Sequence, residues 1–257
     1  MAIRFANDVR MPGKSSKPKV NAYHAHRGRQ RRRIISAAEK LFAERGIDRT
    51  TMADVISTSE LRPSTMYQYF SNKDDIVWAI LGEVLEQAAA GARKVVEGAT
   101  SGLAKISALL RYMADELHKN QDRIRFLAQF DAMYARDWPV ERLLTLEGQI
   151  DEQGFKAFRK LIREGIADGS LRSDLHPDLT LHAVMNAVVA AQRRLASLGT
   201  KVELEYGQPI DRLFGETIRI MVLGLSAPGH TDTTGPVPRA KPPRVKARTS
   251  TTRKRSS

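Results

Sequence analysis

Apolar residues recur at intervals of three and four between Ile34 and Leu225, and no stretch shows the strict alternation of a half-buried strand. Ile34, Ile35, Ala38, Leu41 and Phe42 form the first stripe, and Gly46 follows as a stop signal. Ile76, Ile80, Val84 and Leu85 predict a long helix. Leu103, Ile106, Leu110, Met113 and Leu117 predict another, and Phe126, Phe130, Met133 and Tyr134 a third that ends before Pro139. Phe155, Phe158, Leu161 and Ile162 mark a helix closed by Gly169. The penultimate helix opens at Pro177 and carries Leu181, Val184, Val188, Gln192 and Leu195; the last runs from Ile210 to Leu225. The fold class is therefore all-α. Two segments lack such a stripe. Residues 1–28 hold Pro12, Gly13 and Pro18 and read as a disordered basic arm, and residues 227–257, rich in Pro, Ser and Thr, read as a disordered basic tail.

Charge sharpens this division. The formal net charge is +13, of which residues 1–29 contribute +6 and residues 228–257 contribute +7, leaving the body neutral. Basic arms attract polyanions, nucleic acid before acidic membrane surface. The tails lack the interleaved apolar anchors of a membrane-binding segment, so two readings stand: solvated tails that aid solubility, or arms that touch DNA. There is no cysteine, no run of about 18 apolar residues and no apolar segment near the N-terminus of the kind a secretory signal carries. These features fit a cytoplasmic protein.

The candidate chemistry lies within residues 30–78. Thr51 is a natural N-cap, with Asp54 three residues on in a capping-box position. The short helix they open has Val55 and Ile56 on its buried face and ends around Ser59 and Glu60. Pro63 suits the first turn of a further helix, Ser64 to Phe70, and Ser71, with Asp74 three residues on, is the candidate cap of the next. Two short helices joined by a tight turn make a helix-turn-helix, whose second helix enters the DNA major groove. Small or polar side chains at Ser64 and Thr65 allow close approach to base edges, and Gln68 is suited to bidentate pairing with adenine. Thr65, Tyr67 and Tyr69 offer hydroxyls for phosphates. Lys73, a cation at a helix N-terminus where the macrodipole disfavours it, either meets a phosphate or points to solvent.

The run Thr51-x-x-Asp54-Val55…Leu61-x-x-Ser64-Thr65-x-Tyr67-x-Tyr69-Phe70-x-Asn72-Lys73-Asp74-x-Ile76 resembles the DNA-binding signature of the TetR family, and Ile35-x-x-Ala38-x-x-Leu41-Phe42-x-x-x-Gly46 resembles that family's first helix. Residues 165–175 also look like the family's connection into its penultimate helix. The resemblance implies a three-helix helix-turn-helix domain over residues 29–76 and a larger ligand-binding and dimerisation bundle over 77–226. It implies a sequence-specific transcriptional regulator, a repressor released from a palindromic operator by a small apolar or amphipathic ligand, dimeric through its last two helices. Carried over residue by residue, Arg62, Pro63, Ser64 and Gln68 become base-reading candidates. Thr51, Thr65, Tyr67, Tyr69 and Lys73 become phosphate candidates, with a mainly structural role open for Tyr69. Val55 and Phe70 would hold the small core. Candidate ligand-pocket walls are Met113, Phe126, Phe130, Met133, Tyr134, Trp138 and Phe155, each of which plain core packing would equally explain.

The sequence departs from the family's pattern at four positions. Ile56 and Ser59 stand where smaller residues are usual, Glu60 where a glycine suits a turn of positive φ, and Arg62 where Ser or Thr would cap a helix, which an arginine, having no acceptor, does not do. No Gly-rich phosphate loop, paired-His zinc motif or Gly-x-Ser-x-Gly elbow is present, so neither an enzyme nor a cofactor is expected. His118, His176 and His182 have no metal-site spacing, and no metal is expected. The competing function is a non-specific or architectural DNA-binding protein driven by the basic arms, whose binding would ignore sequence and fall steeply with salt.

Overall fold

The computed structural model describes residues 17–150 and 154–230, with side chains described over 24–150 and 159–230. The outer parts of both basic tails, 1–16 and 231–257, lie outside the described residues. The order is α1 Lys17–Arg45, α2 Met52–Ser59, α3 Pro63–Tyr67, α4 Lys73–Glu97, α5 Gly102–Lys119, α6 Gln121–Tyr134, α7 Val140–Ile150, α8 Gly154–Ala167, α9 Pro177–Leu198, α10 Lys201–Tyr206 and α11 Ile210–Leu225. Among the described residues there is no strand, only the isolated bridge between Leu171 and Ser226. No described helix is long and apolar enough to cross a membrane. The expected helices are all present. Two more, α7 and α10, were not foreseen, and α1 begins at Lys17, inside the stretch read as an unstructured arm.

The described chain forms two compact units. The first takes the residues up to Gln87 together with Arg125–Ile150; the second takes Ala88–Ile124 and the described residues from Gly154 on. The first unit holds the helix-turn-helix and reaches beyond it, because its core needs more cover than three helices supply. Ile34, Ala38, Leu41 and Phe42 of α1, Val55 of α2, Met66 of α3 and Ile76, Val77, Trp78 and Ile80 of α4 are joined there by Phe126 and Phe130 of α6. Phe42 stacks on Phe126 at 6.2 Å, and Trp78 meets Phe130 edge-on at 5.3 Å. Leu143 and Leu146 of α7 pack on the rim of this cluster.

In the second unit α5 is the central helix, packed against α8, α9 and α11. Leu103, Ile106, Leu110 and Leu117 of α5 are buried together with Leu161 and Ile162 of α8, Val188 and Leu195 of α9 and Phe214 and Ile218 of α11. The connection after α8 caps the start of α5. Asp168 accepts from the amide of Gly102 at 2.8 Å, and the Ser170 hydroxyl from that of Leu103 at 3.0 Å. The Ser101 hydroxyl takes the Ala104 amide at 3.2 Å, so three of the donors that a helix start leaves unpaired are satisfied. The same connection is tied to the end of α11 by the Arg172 amide on the Leu225 carbonyl and the Ala227 amide on the Ser170 carbonyl.

Candidate nucleic-acid interface

Local chemistry builds the helix-turn-helix in the first unit. Thr51 and Asp54 form the capping box: the Asp54 amide donates to the Thr51 hydroxyl, and the Thr51 amide donates to the Asp54 carboxylate at 2.8 Å. The Thr51 hydroxyl also donates to that carboxylate, and these Thr51 bonds hold Asp54 below the usual carboxylate range. Val55 is fully buried, as a helix packed by one face on α1 requires. Ser59, standing where a smaller residue was expected, is buried with its hydroxyl satisfied by the Ile56 carbonyl at 3.1 Å.

Glu60 closes α2 in the left-handed region at φ 53°, the single non-glycine residue with positive φ among those described. The left-handed conformation costs an L-residue about 1–2 kcal/mol that glycine avoids. Its carboxylate accepts from Arg33 at 3.2 Å, but the pair is solvent-exposed and contributes little. Glu60→Gly is therefore expected to raise stability by about 0.5–1 kcal/mol, part of the relieved strain being offset by the freer unfolded chain. Denaturant titration checks it: a midpoint at or below the wild-type value would mean that the turn is not strained.

The helix after the turn, α3, is five residues long and starts with Pro63 at its first position. Arg62 precedes it in extended conformation and makes no side-chain cap, as its lack of an acceptor dictates. Met66 is fully buried and Phe70 nearly so, which turns the other side of this segment outward. Arg62, Pro63, Ser64, Tyr67 and Gln68 are all exposed, as is Thr51 at the start of α2; Thr65, Tyr69 and Lys73 are half-buried. Gln68 follows the last helical residue and serves as the C-cap.

Three of the nine candidate residues are already engaged, Tyr69 and Lys73 with partners that sequence reasoning missed. The Tyr69 hydroxyl donates to Gln30 Oε1 at 2.8 Å, and the Arg27 guanidinium lies 5.7 Å from the Tyr69 ring centre. Lys73 meets neither solvent alone nor an open helix end: its ammonium donates to the carbonyls of Ile47 at 2.8 Å and Asp48 at 3.4 Å. It thereby fastens the α1–α2 connection, while Gln129 of α6 holds the connection by accepting from the Ile47 amide and donating to the Phe42 carbonyl. Thr51 is the third, its hydroxyl already engaged in the capping box. The cap of α4 is Asn72, whose Oδ1 accepts from the Asp75 amide at 2.9 Å; the Ser71 expectation is off by one residue, because Asp75 rather than Asp74 turns back to the Ser71 amide.

Asp74 is thereby left for a different task. It accepts from the Tyr134 hydroxyl and from Arg142 Nη1, and the indole N–H of Trp78 donates to the same Tyr134 oxygen at 2.8 Å. The Arg142 guanidinium covers the Trp78 ring at 3.9 Å. The first turn of α4 is thus braced by α6 and α7. No motif in the sequence announced this, since the four partners are spread over residues 74–142.

The seven candidate pocket residues are not brought together. Phe126, Phe130, Met133 and Tyr134 pack into the core of the first unit, with Trp138 on its rim, 46 % exposed and 6.1 Å from Phe130. Met113 belongs to the second unit, where its carbonyl accepts from Gln192 at 2.8 Å. Phe155 is on α8, and its side chain lies outside the described residues. A pocket of about 320 Å³ in the second unit is lined instead by residues such as Leu117, His118, Val202, Ile210 and Asp211.

Residues 34–80 match the model of the family described as bacterial regulatory proteins, tetR family. Among curated relatives, the HTH-type transcriptional repressor KstR2 of Mycolicibacterium smegmatis is 25 % identical over 164 residues, covering 64 % of this chain and 78 % of that one. Among solved structures, the ketosteroid transcriptional regulator KstR2 of Mycobacterium tuberculosis superposes with a TM-score of 0.58 at 20 % identity, covering 77 % of this chain and 95 % of the other. The fatty acid degradation regulator FadR from Bacillus halodurans does so with a TM-score of 0.58 at 18 % identity, covering 76 % and 96 %.

Proposed function

We propose that the chain is a regulator of the TetR family, a sequence-specific DNA-binding repressor, which acts in the cytoplasm as a homodimer that leaves a palindromic operator when a small molecule binds it. The observation that carries the DNA-reading part is the division of labour on α3: Met66 anchors it, and Ser64, Tyr67 and Gln68 stand exposed on its other side. Arg62, Pro63, Ser64 and Gln68 read base edges, and Thr51, Thr65, Tyr67 and Tyr69 bind phosphates. Lys73 fixes the loop ahead of α2 and offers its remaining N–H to the DNA backbone.

Dimerisation is supported by an uncovered apolar face on the last long helices. Leu179 of α9 and Ile220 and Leu223 of α11 are 68, 58 and 55 % exposed, and Ala183, Ala187 and Ala190 are exposed on the same face of α9. Small residues allow two helices to approach closely, and a two-fold dimer pairs with a palindrome of half-sites. The ligand is a small apolar or amphipathic molecule taken up by the bundle of residues 77–226. The words ketosteroid and fatty acid in the descriptions of two fold neighbours agree with that chemistry.

Selection of genomic fragments at about physiological salt tests the reading, with Tyr67→Phe/Gln68→Ala run beside the wild type. Both residues are exposed, so the fold should survive. Recovery of one palindromic sequence that the variant loses is expected; losing the Gln68 contact should cost about 1–3 kcal/mol of base discrimination. Equal recovery of all fragments by both proteins would instead favour non-specific binding by the basic arms.

A further inference from the structure

The helix α1 is 29 residues long, and its first part, residues 17–33, precedes the segment that matches the family. This part carries Lys17, Lys19, Arg27, Arg29, Arg31, Arg32 and Arg33 with no acidic residue. Its own chemistry works against a helix. Like charges three and four residues apart repel, there is no acidic residue in the first turn to favour the macrodipole, and Gly28 sits in its interior, where glycine is a poor helix former.

What surrounds it is the reading head. Gln30 accepts from the Tyr69 hydroxyl, just past the end of α3, and the Arg27 guanidinium lies against the same ring. Arg33 donates to the Ser59 carbonyl at the end of α2. Arg31 is paired with Glu83 and Arg33 with Glu60. His26, Arg29 and Arg32 point to solvent.

We propose that this N-terminal extension of α1 is a second DNA-contacting element, which lays Arg29 and Arg32 along the phosphates that flank the site read by α3. The proposal rests on the operator-binding reading above. A helix of this length spans roughly 25 Å, about seven base pairs of duplex at about 3.4 Å each. Phosphate contacts position a protein and add affinity without adding sequence preference. The extension therefore lengthens the footprint and leaves the recognised bases unchanged.

The test uses the full chain and two duplexes, the selected operator alone and the operator with ten or so base pairs added at each end, with scrambled duplexes of both lengths beside them. Two variants accompany the wild type. Arg29→Ala/Arg32→Ala removes the charges, and Gly28→Pro keeps every charge and the helix from Arg29 on but breaks the helix before it. The wild type is expected to bind the longer operator about tenfold tighter, with a dependence on salt steeper by about 0.9 in log–log slope for each added phosphate contact. Arg29→Ala/Arg32→Ala should lose that difference and Gly28→Pro should keep it, while the thermal unfolding of both stays that of the wild type. Equal wild-type affinity for the two lengths overturns the proposal. So does a difference that survives in Arg29→Ala/Arg32→Ala, and one lost in Gly28→Pro places the contact on the residues before Gly28 and overturns its assignment to Arg29 and Arg32. A variant-sensitive length effect that is the same on operator and scrambled duplexes keeps the extension as a phosphate contact and sinks the operator reading instead.

Discussion

Met66→Ala is expected to abolish operator binding, with a loss of about two orders of magnitude or more, while most of the helical signal remains. The α3 helix has five residues, far below the length at which an isolated helix persists in water. Its conformation is held by burial of one side chain, Met66, which is fully inaccessible, and by Phe70 just beyond it. Truncating a buried Met costs about 2–5 kcal/mol, and here the deficit falls on an element with no other buried side chain of its own. The exposed Pro63, Ser64, Tyr67 and Gln68 would then be presented by a segment that samples many conformations. Titration of the selected operator together with far-ultraviolet circular dichroism checks this. Met66→Leu, of similar volume, should retain binding, and wild-type affinity in Met66→Ala would mean that Met66 does not hold α3.

A large effect on stability is also expected at Gly102→Ala. A Cβ on Gly102 would fall 2.2 Å from Gly165 Cα and 2.9 Å from the Leu161 carbonyl oxygen, so backbone atoms of α8 stand where the methyl group must go. Backbone yields less readily than a side chain, and overpacking of a filled interior costs about 1–3 kcal/mol. The same shift would pull the first turn of α5 from the Asp168 and Ser170 groups that cap it. The expected loss is therefore at the upper end, about 3 kcal/mol. Denaturant unfolding gives the number, and an unchanged midpoint would show that α5 and α8 are free to separate. Gly165→Ala is expected to cost less, because its nearest obstacle is the Leu171 side chain.

How much of this was legible in the sequence follows from the span over which each feature is decided. The Thr51–Asp54 box, Pro63 at the start of α3, the uncapped Arg62 and the left-handed turn at Glu60 all depend on residues within four positions, and each is present as read. The buried Val55 and Phe70 follow from helical periodicity. Lys73 was legible only as an anomaly. Its acceptors lie 25 and 26 positions earlier, on carbonyls that no residue type marks. The stripe of Phe126, Phe130, Met133 and Tyr134 was read correctly as a helix face, but a stripe does not name the core it enters, and this one enters the core of the reading unit. The α7 helix carries an apolar stripe of its own, Val140, Leu143, Leu144 and Ile150, which was passed over, and α10 is six residues long. The start of α1 was hidden by its composition: Pro18, Gly28 and a basic run read as disorder on intrinsic grounds.

The discontinuity of the first unit has a consequence for modular engineering of this protein. A chimera that joins residues up to Gln87 to a foreign effector domain would leave Phe42 and Trp78 without the rings of Phe126, Phe130 and Tyr134, and Asp74 without Arg142. The minimal transplantable reader is therefore two pieces of chain, the second being Arg125–Ile150. Grafts that respect this boundary inherit a finished interior, whereas a cut placed after the signature motif delivers a sticky fragment prone to aggregate.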